Sequence, residues 1–582
     1  MELIESIGGF LWGPWTFVTL LAAGVIFTVW TKFTQFTSMT HGIRVVRGIY
    51  DNPDDPGAIS HFQALSAALS ATVGLGNIGG VAMAIGAGGP GAVFWMWVVG
   101  FFGMALKSVE ITLAMMYRNT DDPDNPHGGA MWVVEKVIGG KGGIWKPIAR
   151  AIGVFFCSTL LISTFTGGNM FQAWSVATLS EQYFQIDRTV TGVVLAAIVG
   201  MVIIGGIKRI GTVAGKLVPF MCGMYLISAL AVLAMNLPEI PGMLLMIVKS
   251  AFSETQATGA AIGGTVGYAF SQGLRRALFS NEAGQGSAPI AHAAAKTDEP
   301  AREGIVGGIG PFIDTLCICT LTALVILLTN TWNRPAVGEF QTAVAIESVS
   351  QLDGKPVAHP TWRIAASTDP ADLPAPQHGA WDAGSKVFFL GEVAGATNLN
   401  TGGNRVRLSG KLTRPTEGGE AGLKIAWEPL SIKSSKTWQG TPTAMTLAQG
   451  KAVYRKYEGA QLTGHAFDRQ FNGLGKYLVT IAAWLFAMST MISWSYYGEQ
   501  GVVYIVGRAG VLPYKLVFLG ASIFAAVGIQ DVSQMGIIMD LGTGAMLWAN
   551  IPIVLGLGYL SVDCLSDYGR RLKAGEFPRT DG

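Results

Sequence analysis

Charged residues are scarce in this chain. Only 13% of its 582 residues are Asp, Glu, Lys or Arg, whereas half are hydrophobic, and soluble domains carry roughly 25% charged residues. This deficit argues against a large soluble enzyme and favours a membrane protein. The formal net charge is only +2, so the sequence offers no electrostatic basis for binding nucleic acid, and we expect no nucleic-acid partner.

Cysteine and histidine are also few, with five and seven residues respectively. All the cysteines lie in apolar stretches, which is typical of small buried hydrophobes and not of a disulfide framework or a zinc site: Cys157, Cys222, Cys317, Cys319 and Cys564. The sequence contains neither a HExxH nor a CxxC motif, and no Gly-Lys-Ser/Thr phosphate-binding loop. We therefore expect no enzyme activity and no organic cofactor.

Long apolar runs, by contrast, are numerous. A transmembrane helix needs roughly 20 apolar residues, and about eleven segments approach or exceed this length: 12–31, 62–87, 91–117, 150–178, 189–207, 213–236, 258–291, 304–330, 473–497, 511–529 and 535–562. The first has acidic residues before it and no Lys or Arg, so it does not have the pattern of a signal peptide. The sequence predicts an all-α polytopic membrane protein with about eleven transmembrane helices.

Basic residues indicate the orientation of these helices. Lys and Arg concentrate in alternate connections, and the opposite short connections contain few, with Arg188 and Lys249 as the exceptions. Because cytoplasmic loops are enriched in Lys and Arg, we predict a multi-pass protein of the bacterial-type plasma (inner) membrane. Its N-terminus would lie outside and its C-terminus in the cytoplasm.

One long segment is too polar for the bilayer. We divide the chain into helices at 1–334, an insert at 335–457, and helices with a cytoplasmic tail at 458–582. Period-two alternation at 405–412 and 423–428, with a short apolar run at 387–390, predicts strands. The insert is therefore expected to be a β-rich extracytoplasmic domain. A partly ordered loop is the alternative, and the partner of the insert stays open.

Glycine and polar residues interrupt two apolar segments, at 70–80 and 279–289. Non-helical backbone within a bilayer is tolerated where it lines a cavity, and paired broken helices indicate the central site of a transporter. Each break opens a set of five predicted helices, and the two sets begin on opposite sides of the membrane. We predict one N-terminal helix followed by a five-plus-five inverted repeat.

The broken helices suit a zwitterion together with a cation. Helix N-termini present unpaired N–H groups that favour a carboxylate. Unwound carbonyls and helix C-terminal ends favour Na⁺ or an ammonium group. Glycine allows a ligand to approach the backbone closely.

Five stretches of the membrane part resemble the alanine/glycine:cation symporter family, within the leucine-transporter-like superfamily. They are ATVGLGNIGGVA at 71–82, GGPGAVFWMW at 88–97, GNMFQA at 168–173, FSNEAGQGSAP at 279–289 and SWSYYGE at 493–499. The resemblance implies symport of a small neutral amino acid, alanine or glycine, with Na⁺ as the coupling ion. The family commonly has Thr at the position of Leu75, so this chain departs from it at a residue that bears on substrate size.

The resemblance also implies site residues. Substrate would be bound by Leu75, Gly76, Asn77, Gly167, Gln172, Phe279, Ser280, Asn281, Thr490 and Trp494. One sodium ion would be bound by the carbonyls of Ser70 and Val73 with the hydroxyls of Ser489 and Thr490, and a second by Thr72 and Asn77. Trp494 follows Thr490 by one turn, so both project to one helix face, and its indole would limit the size of the substrate.

Structural roles are the alternatives for these residues. Ser489 and Thr490 could bond to carbonyls of the preceding turn, Gln172 could join packed helices, and Trp494 could lie at the membrane interface. The same choice exists for charges within or near spans. Lys107 and Glu110, spaced i,i+3, could pair with each other, and we expect Glu282 to face the protein interior because charges are costly in lipid.

Three functions remain open from the sequence. The first is a sodium-coupled symporter with alternating access. The second is a proton-coupled or cation-independent amino-acid exchanger of the same fold, which sodium stimulation of uptake would distinguish. The third is a receptor-like protein that uses the insert, which deletion of 340–455 would test.

Overall fold

The chain folds mainly into helices, and the strands of the described residues lie between 338 and 455. The structure, a computed structural model, describes residues 2–52, 54–122, 126–254, 259–352, 354–365, 369–375, 381, 383–414, 423–433, 437–529 and 532–577. Helices dominate because most of the sequence consists of long apolar runs, and in lipid a helix satisfies its own backbone hydrogen bonds.

The helices before the second break are α1 (Glu2–Leu11), α2 (Pro14–Trp30), α3 (Thr34–Thr37), α4 (Ile43–Val46), α5 (His61–Thr72), α6 (Val81–Gly88), α7 (Gly91–Met116), α8 (Ala130–Val137), α9 (Trp145–Phe165), α10 (Phe171–Phe184), α11 (Arg188–Ile203), α12 (Gly206–Met235), α13 (Ile240–Ser250) and α14 (Val266–Asn281). Those after it are α15 (Ala288–His292), α16 (Pro300–Gly307), α17 (Thr320–Leu328), α18 (Ala460–Phe471), α19 (Gly475–Val506), α20 (Val511–Gly528) and α21 (Val532–Ala574). Short π-helical segments occur at Ser38–Gly42, Gly76–Gly80, Thr166–Met170 and Phe312–Cys319. Single 3₁₀ turns occur at Gly139–Lys141, Leu237–Glu239, Pro370–Asp372 and Arg508–Gly510.

Eight helical stretches among the described residues are long and apolar enough to cross a membrane: Ile7–Trp30, Gly91–Met116, Trp145–Phe184, Gly206–Met235, Pro300–Leu328, Gly475–Val506, Arg508–Gly528 and Gln534–Ala574. A ninth candidate is the pair His61–Thr72 and Gly76–Gly88, which bends by 47° at the first break. Helix α11 is apolar but shorter. The polytopic architecture is thus confirmed, whereas the count of eleven and the inverted repeat stay predictions.

The predicted span at 258–291 differs most from a continuous helix. Helix α14 has 16 residues and ends at Asn281, and only the five-residue α15 follows the break. Glu282, Gly284 and Gly286 all have positive φ between these helices. This left-handed backbone interrupts the helix at the place where the glycine-rich sequence indicates a break.

The predicted strands form within antiparallel sheets. The strands are β1 (Gly338–Glu339), β2 (Ile346–Ser348), β3 (Gln351–Leu352), β4 (Lys355–Pro356), β5 (Thr361–Ile364), β6 (Lys386–Asn398), β7 (Arg405–Thr413), β8 (Lys424–Trp427), β9 (Leu430–Ser431), β10 (Trp438–Leu447) and β11 (Ala452–Arg455). The largest sheet has the order β1-β11-β6-β7-β8, with β10 also paired to β6. Its apolar faces form a separate core that includes Phe340, Val387 and Phe389. The unit boundaries at 335 and 457 stay a prediction.

The strand region is attached directly to the helices. Arg407 donates from Nη2 to the Ala260 carbonyl at 2.9 Å. The N–H of Thr265, the residue that caps the start of α14, donates to the Asn400 carbonyl at 2.9 Å. The connection between β6 and β7 is therefore fixed to the beginning of the second broken helix.

Candidate functional site

The first break lies between α5 and α6, and helix α19 packs against it. Val73 leaves the helical conformation, with φ −78° and ψ 89°, so α5 ends there. A methyl group at Gly74 would lie 2.3 Å from Thr490 Oγ1. Glycine is therefore required at this position for α19 to approach the broken backbone so closely.

Two predicted sodium ligands meet beside this break. Ser70 Oγ donates to the Ser489 carbonyl at 2.8 Å and lies 2.6 Å from Ser489 Oγ. The next residue, Thr490, is 2% exposed, and its hydroxyl has no hydrogen-bond partner among the described residues. Among the described residues, neither the Ser489 nor the Thr490 hydroxyl bonds to a carbonyl of the preceding turn of α19. The structure therefore does not support the alternative in which both hydroxyls bond only within their own helix. A buried hydroxyl without a partner costs free energy, so Thr490 is a candidate ligand-binding residue.

The second break meets the first through Asn77. Its Nδ2 donates to Asp314 Oδ1 at 2.5 Å and to Ser280 Oγ at 3.1 Å. Ser280 Oγ and Thr315 Oγ1 in turn donate to Asp314 Oδ2 at 2.7 and 2.8 Å. Asn77, Ser280, Asp314 and Thr315 are all completely buried. A hydrogen-bonded carboxylate therefore joins the two broken helices.

Asp314 was not among the predicted site residues, although it is an acidic residue within an apolar run. That isolation was the available signal, because an ionisable group in a membrane span is expected to be functional. It lies in the π-helical segment Phe312–Cys319. Such segments occur frequently at functional sites.

The predicted second sodium pair, Thr72 with Asn77, stays a prediction, and each of the two side chains has other hydrogen-bond partners. Thr72 Oγ1 donates to the Ala68 carbonyl of its own helix at 3.2 Å. Asn77 instead binds Asp314, and its Oδ1 accepts from the Gly74 N–H at 2.8 Å. The side-chain partner of Asn77 thus comes from the segment before α17 and not from α5.

Gln172 connects the first break with a third interruption, between α9 and α10. Its Oε1 accepts from the Leu75 N–H at 3.3 Å, and its Nε2 donates to the Gly167 carbonyl at 3.0 Å. Gln172 is 1% exposed. The Leu75 N–H, at a residue predicted to bind substrate, therefore already donates to the Gln172 amide oxygen.

Two aromatic side chains close the site. The Phe279 ring packs against both Gly76 and Gly167, where added methyl groups would lie 3.1 and 2.9 Å from ring carbons. A methyl group at Gly168 would lie 2.4 Å from Cγ of Trp494. Trp494 is only 5% exposed, so it is not an interfacial residue.

Charged residues form a second buried group next to Asn281. Lys107 Nζ donates to the Asn281 carbonyl at 2.7 Å, whereas Asn281 Nδ2 donates to Thr315 at 3.1 Å. Glu110 accepts from Asn550 at 3.1 Å, and the described residues contain no ion pair within 4.0 Å between Lys107 and Glu110, the pairing that their spacing allows. The i,i+3 spacing allowed that pair, but a neighbouring helix end offers Lys107 a carbonyl.

Glu282 follows directly and is 1% exposed, which confirms that it faces the interior. Ser287 Oγ donates to Glu282 Oε2 at 2.6 Å, whereas Oε1 has no partner among the described residues. These contacts stabilise the left-handed turn that separates α14 from α15.

Apolar helices with two breaks that meet at a buried polar centre define the class of protein: a multi-pass membrane transporter. The model of the sodium:alanine symporter family matches residues 1–357 and 440–581. The chain belongs to this family, which confirms the resemblance found in the sequence.

Two relatives match over nearly the whole length. The sodium/alanine symporter AgcS of Methanococcus maripaludis is 32% identical over 96% of this chain and 95% of its own length. The putative sodium/proton-dependent alanine carrier protein YrbD of Bacillus subtilis is 30% identical over the full chain and 95% of its own length. The probable sodium/glutamine symporter GlnT of Bacillus subtilis is 38% identical over 58% of this chain and 68% of its own length.

Proposed function

We propose that the chain is a secondary active transporter that carries a small neutral amino acid, alanine or glycine, together with Na⁺ by alternating access. The observation that carries this proposal is the junction of the two broken helices. Asn77 of the first break is hydrogen-bonded to Ser280 of the second and to the Asp314 carboxylate. The names of AgcS and YrbD, which refer to alanine, support the choice of substrate.

The donor atoms at the junction fit a sodium ion. Ser70, Ser489 and Thr490 supply hydroxyl oxygens near the carbonyl of Val73, where α5 ends. Hydroxyl and carbonyl oxygens at an unwound helix end are suitable ligands for Na⁺. We propose this group as one sodium site. Asp314 with Asn77 and Ser280 forms a second candidate for the cation, in place of the pair with Thr72.

The substrate carboxylate would bind the N–H groups at Leu75, Gly76 and Asn77. In the present arrangement Gln172 Oε1 holds the Leu75 N–H, and the Gly74 carbonyl holds the Asn77 N–H at 3.1 Å. We propose that a carboxylate oxygen replaces Gln172 Oε1 at Leu75. This exchange couples substrate binding to release of a side chain of α10.

Substrate size would be selected at Leu75, Phe279 and Trp494. The Leu75 side chain is completely buried, and Phe279 and Trp494 pack on glycines. A bulky substrate side chain would have to displace one of these groups. Competition of unlabelled alanine and leucine for labelled alanine uptake tests this selection, and equal competition would contradict it.

The test of the proposed function is uptake of labelled L-alanine by proteoliposomes with an imposed Na⁺ gradient. We expect accumulation that requires Na⁺, because the proposed sites offer Na⁺ the hydroxyl oxygens beside Val73 and the Asp314 carboxylate. Uptake that is unchanged when Na⁺ is replaced by choline would overturn sodium coupling.

A proton-coupled carrier is the second candidate, and one observation favours it. Asp314 is a completely buried carboxyl at the junction, so it could carry a proton in place of binding a cation. A pH gradient imposed without Na⁺ distinguishes the two functions. Accumulation under that gradient, abolished by Asp314→Asn, would favour proton coupling.

We further propose that the membrane orientation is N-terminus outside and that 335–457 is an extracytoplasmic unit. Its hydrogen bonds to Ala260 and Thr265, at the start of α14, support this proposal, because that end of α14 would lie outside in this orientation. Deletion of 340–455 tests its role. Retained transport would make it an accessory unit. Absence of transport in the full chain and in the deletion variant alike would favour the receptor-like alternative.

A further inference from the structure

A cleft lies between the strand region and the helices α10, α11 and α18. Its empty volume, which includes the solvent at its open mouth, is about 510 Å³. The walls come from the end of α10, the start of α11, strands β6 and β7, and residues 456–461. In the proposed orientation it opens to the outside.

The lining of the cleft is positively charged. It contains four basic side chains, Lys386, Lys411, Lys456 and Arg188, and only two acidic ones, Glu181 and Glu458. This leaves a net charge of +2. A concave site with an excess of one charge concentrates small ions of the opposite sign.

Glu458 neutralises part of this charge and no more. Lys386 Nζ lies 2.8 Å from Glu458 Oε2, and Lys456 Nζ lies 3.0 Å from Oε1. Burial would raise the pKa of Glu458, but these two lysines outweigh burial and hold it below its usual value. The single negative charge of Glu458 is thus shared by Lys386 and Lys456, so these three side chains together keep a net positive charge.

Lys411 is placed directly opposite Lys386 on the paired strands β6 and β7. Like charges in this arrangement destabilise a sheet. No carboxylate lies within 4.0 Å of Lys411 in the part of the chain that the structure describes. Because Lys386 is paired with Glu458, Lys411 is the lysine of this cross-strand pair to which a bound anion would supply a counter-charge.

A buried indole N–H, that of Trp174, belongs to a residue of the cleft lining. Trp174 is only 4% exposed, and its Nε1 has no partner among the described residues. Buried indole N–H groups usually find an acceptor. Below it, Phe171 stacks on Trp174 with ring centroids 6.4 Å apart and meets Phe279 of the candidate site at 5.3 Å. The rings of Trp174, Phe171 and Phe279 thus form a continuous chain of contacts from the cleft to the candidate site.

We propose that this cleft is a second binding site, which takes a small carboxylate and which holds the α-carboxylate of the amino acid before it enters the central site. The identity of the amino acid rests on the proposed function, but the carboxylate chemistry does not. Lys386 and Lys411 both lie in 358–439, which the family model does not match. The site is therefore one that the family assignment does not supply.

Saturation-transfer NMR on the detergent-solubilised full chain tests this proposal. The probe is L-alanine in Na⁺-free choline buffer of low ionic strength, where the central sodium-dependent site does not contribute. We expect a saturable signal that salt weakens. L-Alaninamide should give less signal because it has no carboxylate, and acetate should compete if the site recognises any small carboxylate.

Variants assign the signal to the cleft. Lys411→Gln should weaken the affinity about fivefold, the upper range for an exposed charge pair, and Trp174→Phe should also weaken it. Lys433→Gln is the matched control, since Lys433 is an exposed lysine of the same strand region outside the cleft. In proteoliposomes, Lys411→Gln should raise the KM for external alanine without a change in maximal rate.

Two results would overturn the proposal: absence of a saturable Na⁺-free signal, or equal signals from Lys411→Gln, Trp174→Phe and Lys433→Gln. Failure of the proposed function would look different. Sodium-dependent uptake of alanine would be absent, while the Na⁺-free signal and its loss in Lys411→Gln would remain.

Discussion

Replacing Thr490 with valine tests whether the Thr490 hydroxyl binds Na⁺ or only stabilises the fold. Valine has nearly the same shape but no hydroxyl, and Thr490 Oγ1 has no hydrogen-bond partner among the described residues. Removing a buried hydroxyl without a partner should stabilise the protein in Na⁺-free buffer by up to about 1–3 kcal/mol, or leave it unchanged. Affinity for Na⁺ should fall, because the cation loses a ligand.

The magnitude follows from linkage between binding and unfolding. At a Na⁺ concentration one hundred times the Kd, binding stabilises the folded protein by about 2.7 kcal/mol. If the loss of one oxygen ligand weakens binding about tenfold, this falls to about 1.4 kcal/mol at the same concentration. Thr490→Val should therefore lose roughly half of the Na⁺-induced stabilisation, a difference that a thermal-shift assay resolves.

The assay compares unfolding temperatures in NaCl and in choline chloride over a range of concentrations. Thr480→Val is the matched control, because Thr480 lies on the same helix but donates to the Lys476 carbonyl at 2.7 Å. The control should keep the Na⁺ response. The reasoning is refuted if Thr490→Val retains the full Na⁺ response and is less stable than the wild type in choline.

Three further substitutions test other parts of the site. Asp314→Asn removes the charge that three side-chain donors share, so Na⁺-dependent alanine uptake should fall at least tenfold, and unchanged uptake would exclude the carboxylate from coupling. Gln172→Glu keeps the shape but places a permanent carboxylate at the Leu75 N–H, so alanine should bind about tenfold more weakly, and unaltered affinity would contradict the exchange. Gly168→Ala places a methyl group 2.4 Å from the Trp494 ring, so the unfolding temperature should drop by the equivalent of about 1–3 kcal/mol, and a wild-type temperature would contradict this packing.

A control on the glycine substitution is available in the same membrane part. An added methyl group at Gly223, in the interior of α12, would meet nothing within 4 Å. Gly223→Ala should therefore leave the unfolding temperature unchanged or raise it, because alanine favours a helix more than glycine does. Equal destabilisation by both substitutions would indicate a general intolerance of the helices to alanine.

The breaks and the approach of α19 could be predicted because local sequence determines them. The clustered glycines at 74–80 and 284–286 disfavour a continuous helix, and the resemblance indicated Ser489 and Thr490. The partner of Asn77 could not be predicted in the same way. Asp314 lies in a π-helical segment, and this irregular register cannot be deduced from the 3.6-residue periodicity of an apolar run.

Partners across helices were similarly inaccessible from spacing. Lys107 and Glu110 share one face of α7, but Lys107 binds the carbonyl of Asn281 at the end of α14. A helix end exposes carbonyls that have no partner in the helix, so the nearest acceptor depends on how α14 packs against α7. In the strand region, alternation predicted β7 and β8 but not their order or the lysine pair that β6 and β7 create.

The second broken helix is held at both of its ends. At its start, Thr265 binds Asn400 of the strand region. Beyond its end, the Ala58 N–H donates to the Ala294 carbonyl at 2.9 Å, and the Lys296 N–H donates to the Ile59 carbonyl at 2.8 Å. These bonds join the approach to the first broken helix to the exit from the second.

This arrangement constrains how a closed site can open. If α14 moves relative to the rest of the protein, the contact of Thr265 with the strand region must break or the strand region must move with it. If α5 moves, the paired backbone at 58–59 and 294–296 must separate. The second set is not limited to these backbone bonds, because the buried Glu303 carboxylate also binds His61 of α5 and His292 of α15. Under the proposed alternating access, one set would form while the other opens, and in the proposed orientation the strand region would then be part of the outer gate.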